Sequence, residues 1–289
     1  MRARFISRMG KIGAVALVGA AMLLAVRTMP PAWAEPVGPH TAKSSPASCN
    51  RGAFRVIVDV GHTADKPGAR SARGIGEYEF NLRLAKEIEQ ALIDAGFARA
   101  VLLVTTDAPR AGLFKRAARA NSLSADLFLS IHHDSVPDSF LESWEFEGRE
   151  HHFSDRFKGH SLFISYDNGD VRGSLLFARL LGNQLKARGL QYTPHYVEKF
   201  MGHRRRELVD AEAGVYRYDQ LIVLKSTRMP AVLLEAGSII NREEELLMGD
   251  PERRARISAA VADAVAGFCA LRSQRQRPAA AMQRATSRP

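Results

Sequence analysis

The sequence predicts a single-domain α/β fold, a mostly parallel, doubly wound sheet of about six strands flanked by helices. Three observations predict it. Short aliphatic runs, Val56–Val60 and Ala231–Leu234 above all, end at a glycine or an acid and read as strands buried on both faces. Helical periodicity fills the gaps between the first runs, giving strand, helix, strand, helix, strand. Histidines close the first and third of these strands, at the sheet edge where open α/β sheets bind their ligands.

Residues 1–34 read as a secretory signal. Arg2, Arg4, Arg8 and Lys11 form a positive leader, and Ile12–Val26 is apolar, shorter than the ~20 residues of a membrane span. Ala32-Trp33-Ala34 supplies a cleavage site. The expected product is an exported protein without a transmembrane span, periplasmic in a Gram-negative cell and secreted otherwise. Residues 35–52 carry Pro, Ser and Gly without apolar periodicity and read as a flexible lead-in.

The folded body is expected over residues 53–271. Phe54–Val60 is its first strand, and the glycine-rich stretch 61–76 is a loop. Apolar residues recur at helical spacing from Glu77 to Ala95, where Gly96 stops the helix. Ala100–Val104 is the second strand, Leu113–Leu123 a short amphipathic helix, and Asp126–Ile131 the third strand, ending in His132-His133-Asp134. Residues 135–160 look irregular and polar. Ser161–Tyr166 is a strand, and Ser174–Gly189 an amphipathic helix. Residues 190–219 resist assignment, and Leu221–Leu224 is a candidate strand. Ala231–Leu234 is a strand running into Glu235, followed by helices from Glu243 and from Pro251 to Ala270. Residues 272–289 read as a disordered basic tail.

The formal charge of +10 is concentrated at the two ends, which carry five cations each and no acid over residues 1–34 and 272–289. The middle is close to neutral, a poor nucleic-acid footprint. The only cysteines, Cys49 and Cys269, flank the folded body. An oxidising compartment permits a bridge between them, with two free thiols as the alternative.

Four residues carry the chemistry. His62, His132 and Glu235 each end a buried strand, and Glu77 begins a helix. Strand carboxyl ends and the N-termini of the following helices share one edge of a parallel sheet, so these residues converge there. Two histidines and a carboxylate form a catalytic zinc set with room for water, and a second carboxylate serves as proton shuttle. On position alone Glu79 competes with Glu77. Adjacent residues of a strand point opposite ways, so only one of His132 and His133 faces the cleft. His151, His152, His160, His195 and His203 sit in polar stretches and read as surface residues, and Arg204–Arg206 as a solvated face, with contact to substrate carboxylates as the alternative.

From Val56 to Phe268 the chain resembles the zinc-dependent N-acetylmuramoyl-L-alanine amidases of amidase type 3. The family's Asp-Pro-Gly-His-Gly-Gly is similar to Asp59-Val60-Gly61-His62-Thr63-Ala64, with departures beside the Gly-His pair. Its zinc glutamate, four residues before Asn-Leu, matches Glu77 before Asn81-Leu82 and selects Glu77 over Glu79. Ser-Ile-His-Ala-Asn resembles Ser130-Ile131-His132-His133-Asp134, and Pro-Ala-Val-Leu-Val-Glu-Leu-Gly resembles Pro230–Gly237. Arg116 with Ala120-Asn121 fits the family's Arg-x-x-x-Ala-Asn.

The resemblance implies Zn2+ on His62, Glu77 and His132, with Glu235 as catalytic proton carrier. It implies hydrolysis of the amide between N-acetylmuramic acid and L-alanine of peptidoglycan. It further implies a possible protein activator that relieves a blocking segment, for which 135–160 and 190–219 are the two candidates. A zinc peptidase acting on peptidoglycan peptides and a non-catalytic wall-binding homologue are the alternatives.

Overall fold

The computed structural model describes residues 49–106 and 109–286, with side chains through residue 274. The expected signal and most of the lead-in lie outside the described residues.

The order of elements is β1 (Val56–Val60), α1 (Glu77–Asp94), β2 (Val101–Leu103), α2 (Pro109–Ser122), β3 (Leu127–Asp134), β4 (Glu142–Phe146), β5 (Arg149–Phe153) and β6 (Ser161–Ile164). There follow α3 (Val171–Ala187), β7 (Glu207–Asp210), β8 (Val215–Arg217), α4 (Ile222–Lys225), β9 (Ala231–Ser238), α5 (Arg242–Gly249) and α6 (Pro251–Thr286). Seven strands form one sheet in the order β2-β1-β3-β9-β6-β8-β7, and β4 and β5 form a separate hairpin. The run β2-β1-β3-β9 is parallel, β6 is antiparallel to β9, and β7 is antiparallel to β8.

Side-chain alternation along the central strands builds a core on each face. Val56, Val58, Val60, Leu129, Ile131, Val232 and Leu234 pack with α1, α3 and α6. Ile57, Phe128, Phe163, Ala231 and Leu233 pack on the other face with Val223 and Leu224 of α4. Parity then assigns the chemistry. Asp59, Ser130, His132 and Glu235 continue the second series, so they share one face. Register places Asp59 opposite Ser130, and His132 opposite Glu235.

Several sequence expectations need correction. Residues 135–160 contain the β4–β5 hairpin, because Trp144, Phe146 and Phe153 alternate with polar residues across paired strands. Residues 190–219, which the sequence left unassigned, supply β7 and β8 of the seven-stranded sheet. Leu221–Leu224 is not a strand: Ile222–Lys225 is a single helical turn. Four apolar residues carry no period that separates a helix from a strand. A hydrogen-bonded turn from Cys49 to Phe54 precedes β1. Helix α6 is described as far as Thr286.

Cys49 and Cys269 are joined by a disulfide, with Cα atoms 5.4 Å apart. The bond ties the entry to β1 to the α6 helix. No described helix is long and apolar enough to cross a membrane.

Candidate metal centre

The site begins with the loop between β1 and α1. The first amides of α1 have no side-chain cap, and loop carbonyls satisfy them instead. Glu77 N donates to Ala69 O and Tyr78 N to Pro67 O, both at 2.9 Å. This wraps the loop over the helix start and turns Glu77 inward, where it is 5% exposed.

Glu77 lies between two imidazoles. His62 Nε2 is 2.9 Å from its Oε2, and His132 Nδ1 is 2.9 Å from its Oε1. One ligand atom from each of His62, Glu77 and His132 falls within 4.8 Å of the other two. Burial opposes the Glu77 charge, but hydrogen bonds and charges of His132 and His62 hold the carboxyl well below its usual range. The donor set suits zinc, with two neutral-capable nitrogens and one ionised oxygen.

Two glycines make room for this group. A Cβ on Gly61 would lie 2.5 Å from the His132 ring, and one on Gly68 would lie 2.5 Å from Glu77 Oε2 and 2.7 Å from the His62 ring. Gly68 also has φ +80°, and His62 itself sits at φ 64°, a conformation that side chains disfavour.

Neighbouring residues hold His62 and Glu77 in place. Asn81 Nδ2 donates to Glu77 Oε1 at 3.1 Å and to Gly61 O at 3.2 Å, while its Oδ1 faces His133 Nδ1 at 2.8 Å. His133 therefore turns away from the ligands, as alternation requires, and burial pushes its imidazole down to about 3. Arg116 donates to His62 O and lies 3.6 Å from Asp59, whose other oxygen accepts from Ser130 Oγ at 2.7 Å.

Glu235 is partly exposed along its chain, but its Oε2 is enclosed and has no hydrogen-bond partner among the described residues. Burial, then the charges of Asp134 and Glu77, push its carboxyl well above the usual range, and Arg204 opposes them. Asp134, pushed up to about 7 by burial, accepts from the Tyr196 hydroxyl at 2.8 Å on each oxygen. The structure thus brings His62, Glu77, His132 and Glu235 to one edge and leaves Glu79 exposed.

The sequence reading missed the support from Tyr196 and Arg204. Both come from the unassigned stretch: Tyr196 has no local mark, and Arg204 lies in the basic cluster Arg204–Arg206, whose neighbours in space the sequence does not show. Two surface assignments are also corrected. His160 is 4% and His195 6% exposed. The backbone of His160 bridges Gln191 and Thr193, and His195 packs on Phe157 and Tyr196. Arg204 is half-buried beside the carboxyls, not part of a solvated face.

A model of the N-acetylmuramoyl-L-alanine amidase family matches residues 56–267, which takes in all four residues. The chain belongs to this family. Among curated relatives, the amidase resembles N-acetylmuramoyl-L-alanine amidase AmiA of Escherichia coli, 27% identical over 78% of this chain and 80% of that one. It also resembles the amidase Rv3717 of Mycobacterium tuberculosis, 26% identical over 72% and 74% of the two chains. The fold is shared with the amidase Ami1 of Mycobacterium smegmatis at a TM-score of 0.56 and 20% identity, covering 75% of this chain and 97% of that one.

Proposed function

We propose that the chain is an exported, zinc-dependent amidase. It hydrolyses the amide between the lactyl group of N-acetylmuramic acid and L-alanine of the peptidoglycan stem peptide. One observation carries this reading: Glu235 stands opposite His132 in the sheet register, beside a His62–Glu77–His132 group that suits a metal. Family membership supplies the bond that is cleaved.

His62, Glu77 and His132 would hold the zinc. When bound, zinc supplies Lewis-acid chemistry, acidifying water and polarising a carbonyl. Glu235 accepts a proton from the attacking water on its carboxylate. The water oxygen bonds to the amide carbon, the carbon–nitrogen bond breaks, and Glu235 returns the proton to the departing amine. The burial and neighbouring carboxylates that push the Glu235 carboxyl upward suit a group that takes and then releases a proton. Arg116 and Asn81 keep the His62 loop and Glu77 fixed while this happens.

Digestion of purified peptidoglycan by the mature protein, with mass spectrometry of the products, tests the reading. Free stem peptides beginning with L-alanine are expected, and chelation should abolish them. Cleavage of a different bond would replace the amidase with a peptidase. The same digestion addresses an activator. CwlD of Clostridioides difficile has been solved in complex with the lipoprotein GerS. Here the 190–219 segment brings Tyr196 and Arg204 beside the carboxyls. If only a chain lacking residues 198–206 releases peptides, that segment is a block which a partner protein lifts. Release by the unaided full chain removes the need for one.

A further inference from the structure

The β4–β5 hairpin is fixed against the loop that leads to Glu77. Trp144 Nε1 donates to Ala72 O at 2.9 Å, and the Arg73 guanidinium lies 5.3 Å from both the Trp144 and Phe146 rings. Arg73 is itself held by Glu245 at 2.6 Å. The His151 ring sits against Gly74, where a Cβ would meet it at 2.7 Å. Between hairpin and loop lies a groove of about 500 Å³. Its floor adjoins the metal centre: Ala69 N donates to Glu77 Oε2, and Ser135 follows His132 by three residues.

The lining of this groove is charged in both senses. Arg70, Asp138, Glu150 and His151 face it. The Arg70 side chain makes one backbone hydrogen bond, to Gly74 O, and its remaining donors are exposed. The Asp138 and Glu150 carboxylates are exposed and make no hydrogen bond or ion pair among the described residues. A saccharide would call for an open aromatic face. The faces of Trp144, Phe146 and Phe153 stack on one another and on Arg73 and Arg242, and none of these three lines the groove.

We propose that this groove is the subsite for the charged peptide beyond L-alanine. Arg70 pairs with a peptide carboxylate, while Asp138 and Glu150 pair with a side-chain amine. The glycan then lies elsewhere along the edge. Zwitterionic recognition follows from the chemistry, since a guanidinium matches a carboxylate and an acid pair matches an ammonium. The substrate identity rests on the amidase reading, whereas the recognition of a charged peptide does not.

The test uses the full chain with a synthetic L-Ala–D-Glu–L-Lys tripeptide, its Nε-acetylated analogue, and the corresponding muramoyl-peptides. For the muramoyl-tripeptide, Arg70→Ala and the pair Asp138→Asn/Glu150→Gln should each raise KM about tenfold with kcat unchanged, as expected for loss of charge-assisted bonds. The penalty of the acid pair should vanish with the acetylated amine. N-acetylmuramoyl-L-alanine, which stops short of the groove, should respond to neither change. Variants that match the unaltered chain on the free-amine substrate would overturn the proposal, as would equal losses on the truncated one. If neither the unaltered chain nor one lacking residues 198–206 cleaves a muramoyl-peptide, the amidase reading fails and calorimetry with the free tripeptide decides the groove. Binding weakened about tenfold by Glu150→Gln upholds it, and unchanged binding overturns it.

Discussion

Glu235 and His132 face each other across two strands, yet they answer to different demands. His132 contributes a nitrogen to a group built around Glu77. Glu235 keeps an enclosed oxygen with no partner among the described residues, an arrangement that burial makes unfavourable unless the group has work to do. The two roles separate under mutation. Glu235→Gln preserves size and should retain zinc while lowering kcat by roughly 10²–10⁴-fold, the usual contribution of a positioned proton carrier. His132→Ala should lose zinc and activity together. Metal content measured beside the rate distinguishes them, and an active, zinc-replete His132→Ala chain would remove it from the ligand set.

At the level of elements, two glycines make the room in which His62, Glu77 and His132 come together. The β1–α1 loop must pass directly over Glu77 and His62, and Gly68 is where it does so. Gly68→Ala introduces a Cβ 2.5 Å from Glu77 Oε2 at a left-handed φ. The substitution should weaken zinc binding by at least about tenfold, within the range typical of residues that orient ligands. A calorimetric titration reads this directly, and unchanged affinity would show that the loop relocates freely. The sequence made this loop legible as glycine-rich but not the reason for each glycine. A contact between Gly68 and Glu77 depends on how the loop folds back, which no periodicity records. The same limit applied to residues 135–160. The alternation of Trp144 and Phe146 is only two residues deep, too short to stand out before the partner strand β5 is known.

For the molecule as a whole, the disulfide joins positions 220 residues apart. Closing so long a loop restricts the unfolded chain, and removal of a native disulfide typically destabilises by roughly 2–4 kcal/mol. The pair Cys49→Ser/Cys269→Ser should therefore lower Tm by roughly 5–15 °C for a domain of this size. Zinc content and kcat at low temperature should persist, because the bond ties β1's entry to α6, and neither holds a ligand. A thermal scan without a shift would mean that the buried contacts of Phe54, Phe97 and Phe268 suffice to hold this junction.

By itself the sequence determined the parallel centre of the sheet and the edge at which the chemistry gathers. Buried strands demand continuous apolar runs, and a histidine or glutamate that ends such a run is visible in one dimension. It also made His62, His132 and Glu235 legible as candidates, because each ends an apolar run that can be read locally, whereas position alone left Glu77 level with Glu79 and the family resemblance separated them. Tertiary structure alone decided the sense of β6, the origin of two sheet strands in an unassigned stretch, the placement of Tyr196 and Arg204 beside the carboxyls, and the groove under the hairpin. Each of these joins residues far apart in the chain. Their physical cause is a contact between elements, which local pattern does not encode.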